Sequence, residues 1–144
     1  MKKKIIPVAI VIFLLIGLAV SVPLVNDFSA RNVENSLVEI ALPENTQIVE
    51  SLSKAGKLVG NGNGMQYFGA MLIKSELTRE ELSDYYSQKN ADIVVKEQKT
   101  QEIACAEHAR LSFATQITDT ENYYIVYLFG EGIALFAQLD FRGH

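Results

Sequence analysis

The stretch Val59 to Ser75, VGNGNGMQYFGAMLIKS, decides how this chain folds. Gly60, Gly62 and Gly64 alternate with Asn61 and Asn63, then run into a segment rich in β-formers from Met65 to Ser75. A phosphate cradle of the P-loop kind needs a lysine and a Ser/Thr directly after its last glycine, then a helix whose N-terminus faces the phosphate. Here Gly64 is followed by Met65, Gln66 and Tyr67. The dinucleotide pattern G-x-G-x-x-G fails too, because Tyr67 stands where the third glycine after Gly62 and Gly64 belongs. Asn-Gly steps tolerate the positive φ that hairpin connections demand. Thr46 to Leu58, ahead of the glycines, is also rich in β-formers, so the pattern predicts a hairpin with Gly60–Gly64 as its turn. A ligand loop is the competing expectation.

After the hairpin, Thr78 is a suitable N-cap, Glu81 completes a capping box, and Leu77 with Leu82 can staple the helix start. A helix is expected from about Arg79 to Lys89, with Leu82, Tyr85 and Tyr86 as its core-facing stripe. Strands are expected at Asp92 to Gln98 and at Leu111 to Ile117. Tyr123 to Phe129, apolar on both faces, should be a central strand. Gly130 to Gly132 should turn into a last strand from Ile133 to Phe141. Leu37 to Leu42 reads as a short first strand or part of a stalk, and Glu102 to Arg110 as strand, turn or helix. The expected class is α+β: an N-terminal transmembrane helix, then an antiparallel sheet carrying one main helix.

The transmembrane expectation rests on Ile5 to Val25, IIPVAIVIFLLIGLAVSVPLV, an uncharged run behind Lys2, Lys3 and Lys4. As a helix it would be about 31 Å long, enough to cross a hydrocarbon core. A secretory signal peptide begins in the same way, and Ala19 with Ser21 offers a cleavage site, but the apolar run continues past it to Val25. Lysines stay on the cytoplasmic side, so the rest of the chain is expected outside. The expected organisation is a basic head (1–4), a signal anchor (5–25) in contact with the lipid bilayer, a polar stalk (26–36) and an extracytoplasmic domain (37–144).

Residues 26 to 144 hold 10 of the 13 basic and all 17 acidic residues, a net charge of −7. Such a surface repels phosphate backbones, which excludes nucleic acid as a partner. The one cysteine, Cys105, cannot form an intrachain disulfide and reads as a small buried apolar side chain. Cys105 and His108 have C-x-x-H spacing with Glu107 between them, short of a closed zinc site, and no nucleophile elbow accompanies either histidine. No catalytic residue, metal or cofactor is therefore expected. Candidate contacts for a ligand or partner are Gly60, Asn61, Gly62, Asn63, Gly64, His108 and the closing charges Asp140, Arg142 and His144.

Over Leu42 to Tyr86, with GNGNG and the following strand as the most specific part, and in the closing LDFRGH, the chain resembles small single-span bacterial proteins of unassigned function. That resemblance implies one α+β domain outside the cell and no activity. The functional expectation is a non-catalytic binding module of the cell envelope that contacts another envelope protein. The alternatives are a small enzyme or metal-dependent module built on Gly60–Gly64, Cys105, Glu107, His108 and the C-terminal charges, or a secreted domain.

Overall fold

The structure is a computed structural model and describes residues 5–130, 132 and 134–144. Helix α1 runs from Ile5 to Val38, about 51 Å at 1.5 Å per residue. In its first half Val8, Ile10 to Ile16 and Val20 are exposed apolar residues, and Leu18 is half-buried. By length and composition, the part of α1 from Ile10 to Val38 is a helix long and apolar enough to cross a membrane.

The second half of α1 corrects the stalk expected at 26–36. Val22, Asn26, Ala30 and Leu37 are buried and Val33 is half-buried, a spacing that puts all five on one helical face. That face lies on the sheet, and the helix continues through Leu37 and Val38 where a short strand was one of the expectations. Pro23 stands inside the helix, at the junction of its exposed and packed halves.

Four strands follow: β1 (Thr46–Gly56), β2 (Gln66–Ser75), β3 (Val94–Glu97) and β4 (Tyr123–Gly130), in the order β1-β2-β4-β3, every neighbouring pair antiparallel. β1 and β2 are the two arms of the expected hairpin, in register from Thr46 opposite Ser75 to Gly56 opposite Gln66, with one bulge between Ile48 and Glu50. β4 is central, as its two apolar faces require, since it pairs with β2 on one side and β3 on the other. Helix α2 (Arg79–Ser87) starts at the expected capping box: Thr78 Oγ1 accepts from the Glu81 amide and a Glu81 carboxylate oxygen accepts from the Thr78 amide. The architecture is α+β.

Both faces of the sheet are covered. On one, α1 and α2 enclose Leu37, Met71, Ile73, Leu82, Tyr86 and Val126. Tyr86 is buried with its hydroxyl unpartnered, and burial pushes its pKa up to about 12. On the other, the segment from Lys99 to Asn122 lies over Phe68, Ala70, Leu72, Ile125 and Tyr127, adding Ile103, Ala106 and Phe113 to the core. Leu111 to Ile117, expected as a strand, makes one isolated bridge there, Ser112 with Glu102. The reason is that a side chain takes the place of a neighbouring strand. Glu50 accepts from the amides of Ala114 and Thr115, both at 2.9 Å, and from the Thr115 hydroxyl. Burial pushes the Glu50 carboxyl up, but these three bonds outweigh it and leave the group below its ordinary value. Residues 102–110 are otherwise turns.

The last strand expected, Ile133 to Phe141, is likewise absent among the described residues. Phe136 has φ +63° and ends any extended run, and two 3₁₀ turns follow at Ala137–Leu139 and Phe141–Gly143. Glu131 and Ile133 lie outside the described residues.

Candidate functional site

The site is assembled where the β1–β2 loop, the segment around His108 and the C-terminal tail meet. The loop spans nine residues, Lys57 to Met65, between Gly56 and Gln66. Gln66 shapes its first part: the side-chain carbonyl accepts from the amides of Leu58 and Val59 at 2.7 and 2.8 Å. Gly60 has φ +75° and Gly64 φ +150°, so two of the three glycines adopt backbone that other residues rarely take. Gly60 to Gly64 are exposed, Asn61 and Asn63 with them.

His108 is tied to the loop twice. Its amide donates to Leu58 O at 2.9 Å, and its Nε2 lies 2.7 Å from Gly60 O. A carbonyl oxygen only accepts, so Nε2 carries the proton. The ring is oriented by backbone and not by a carboxylate, unlike a catalytic base. The tail is tied to the same loop: Lys57 N donates to Arg142 O at 2.6 Å and Gly64 N to Gly143 O at 2.7 Å. His144 bonds Gln138 O instead. Of the residues singled out in the sequence, the structure thus joins His108 to Gly60 and the tail to Gly64, while Asp140 faces α1.

Asp140 is 3% exposed. It accepts from Asn26 Nδ2 at 2.8 Å and from the Arg142 guanidinium at 2.7 Å. Hydrogen bonds from Arg142 hold its carboxyl well below the usual carboxylate range. Burial opposes them, and the Asn26 amide adds to the lowering. Arg142 also reaches Asp27 at 2.7 Å and Pro23 O at 3.0 Å. Tyr67 completes the network, its hydroxyl donating to Asn26 Oδ1 and accepting from the Ala134 amide. Asn26 is its hub, bonding β2 and the tail at once, and it was invisible in the sequence as anything but stalk.

Beside the tail opens a cleft of about 280 Å³ whose lining includes Lys54, Lys57, His108, Arg110 and Arg142, with no acidic residue. Arg142 is neutralised by Asp27 and Asp140. Lys54, Lys57 and Arg110 make no ion pair among the described residues. A domain that is acidic in sum therefore carries a local cationic cleft, contributed by β1, the glycine loop and the segment after His108. The larger cavity at the other end of β2, about 560 Å³, differs in that its Lys74 is paired with Glu121.

Cys105 and Glu107 line a different cavity from His108. Burial pushes the Cys105 thiol up, away from the thiolate that metal binding or nucleophilic attack needs. Among the described residues no three His, Cys, Asp or Glu side chains gather at a metal-binding distance. No protein-family model, curated protein or solved structure matches the chain.

Proposed function

We propose that this chain is a membrane-anchored binding module of the cell envelope, in which Ile5 to Val25 spans the bilayer, Lys2 to Lys4 stay on the cytoplasmic side, and the α+β domain stands outside. Its cleft receives an acidic segment of another envelope protein. The observation that carries this reading is the set of three cations, Lys54, Lys57 and Arg110, around an open cleft of a domain otherwise rich in carboxylates. An open cationic cleft suits carboxylate side chains presented by a partner, because complementary charge steers encounter and selects against wrong partners. The same cleft offers no paired acid and base for catalysis, since His108 is committed to a backbone carbonyl.

The test is a photoreactive residue placed at position 54 or 110 of the full chain in cells, with position 76, at the far end of β2, as the control. Adducts should form from the first two positions and map to a partner peptide rich in Asp and Glu, and Lys57→Glu should reduce them severalfold. Adducts that map to non-acidic peptides, or that survive Lys57→Glu, would remove the cleft from consideration as the docking surface.

A further inference from the structure

The C-terminal tail has an apolar outer surface that the interior of the protein does not use. Leu135 is 76% exposed, Phe136 46%, Leu139 52% and Phe141 92%. Ala137, Asp140 and Gly143 are the buried members, three residues apart, as expected when a 3₁₀ turn lines up i and i+3. The tail is therefore two-sided, with small or bonded groups inward and large apolar groups outward. Phe136 holds φ +63°, a left-handed conformation that side-chain-bearing residues rarely adopt.

Its position on the molecule says what the outer surface meets. Ala137 packs with Ala30 of α1. Further along, Asp140 bonds Asn26, and Arg142 bonds Asp27 and Pro23 O. The tail thus descends along α1 to the level where the uncharged run of the helix ends. At that level the outward side of α1 is still apolar, with Leu24, Val25 and Phe28 exposed. Leu139 and Phe141, both exposed, flank Asp140, the residue that bonds Asn26 of the helix. Arg142, shared between Asp27 and the buried Asp140, offsets one of the two carboxylate charges at that level.

We propose that the tail, Leu135 to His144, lies in the membrane–water boundary with Leu139 and Phe141 among the lipids. The domain is then held against the bilayer at two places and does not hang from one. The inference rests on the membrane-spanning reading of α1. Its partner is the lipid surface, chosen over a second copy of the chain because the tail is fastened to α1 at Pro23, Asn26 and Asp27, where the uncharged run of the helix ends and Leu24, Val25 and Phe28 are exposed.

The chain contains no tryptophan, so single-tryptophan variants of the full chain report their own surroundings. Phe13→Trp, Phe141→Trp and Val94→Trp would be reconstituted in phosphatidylglycerol–phosphatidylcholine vesicles without label and with lipid brominated either near the headgroup end of its chains, to read position 141, or near the methyl end, to read position 13 at mid-span, and titrated with iodide. Phe141→Trp should lose about half or more of its emission to brominated lipid, since interfacial side chains sit within about 5–10 Å of the acyl boundary. It should also resist iodide, while Val94→Trp, on the edge strand, shows the reverse. A quenched Phe13→Trp beside an unquenched, iodide-accessible Phe141→Trp would overturn the tail contact and leave the anchor standing. An unquenched Phe13→Trp would overturn both. Shielding of Phe141→Trp from iodide without quenching by lipid would assign the tail to a protein contact and refute the proposal.

Discussion

Asp140 keeps its charge under cover, and that has a consequence for acid stability. Its native pKa is lowered, so the ionised form is the one the fold favours. The contribution is fully present above the ordinary aspartate value of about 3.9 and is lost as pH falls through the lowered native value. Glu50, also lowered, adds a contribution of the same sign. Melting temperature followed from pH 7 to pH 2 should therefore fall on the acid side, and Asp140→Asn should start lower at pH 7 and show a flatter fall. An unchanged slope in Asp140→Asn would place the acid response elsewhere. Asn26→Ala should lower stability by about 2–3 kcal/mol at neutral pH, because it leaves both the Tyr67 hydroxyl and Asp140 short of a partner.

Between elements, glycines set how closely α1 approaches the sheet. A Cβ on Gly69 would stand 2.5 Å from the Glu34 amide nitrogen and 2.7 Å from the Val33 carbonyl carbon, which are helix backbone. A Cβ on Gly130 would instead meet the Val33 side chain. Gly69→Ala should accordingly cost about 3 kcal/mol, with the helix forced off β2, and no change at Val33 should rescue it. Gly130→Ala should be rescued in large part by Val33→Ala. Denaturant melts of the two single variants and their Val33→Ala combinations form the cycle, and equal rescue of both glycines would contradict the geometry.

The same contact explains where the sequence could be read and where it could not. The capping box at Thr78 and Glu81, the two hairpin arms and the two-faced β4 announce themselves through local rules, and all three are present. The packed half of α1 does not. Its inward face includes Asn26 and Ala30, and charged Asp27, Arg31 and Glu34 stand between, so its composition reads as a polar spacer although its spacing is helical. Leu111 to Ile117 alternates like a strand, and its apolar residues do pack on the core, but the Glu50 carboxylate occupies the amides a partner strand would have bonded. Of the candidate site, Gly60, His108, Asp140 and Arg142 could be singled out by residue type. Lys54, Lys57 and Arg110 could not, because three separate segments bring them together only in the folded chain.

At the scale of the whole molecule, the folding unit begins inside α1. Val22, Asn26, Ala30 and Leu37 are buried against the rest, and each large apolar side chain so buried contributes about 1.5–3 kcal/mol. A fragment of residues 22–144 should therefore melt cooperatively in mild detergent, whereas residues 30–144, lacking Asn26 and Val22, should melt at least about 5 °C lower. Matching melting temperatures would show that α1 is dispensable to the domain. The helix has one further consequence. It runs on through Pro23 from its exposed half into the core, latched there by Arg142 at the Pro23 carbonyl and Asp27. It therefore works as an axle: a neighbour that grips the exposed half and turns it by one residue's worth, about 100°, swings the cationic cleft through the same angle about the helix axis, so the bearing of the cleft is steered from the other end of the chain.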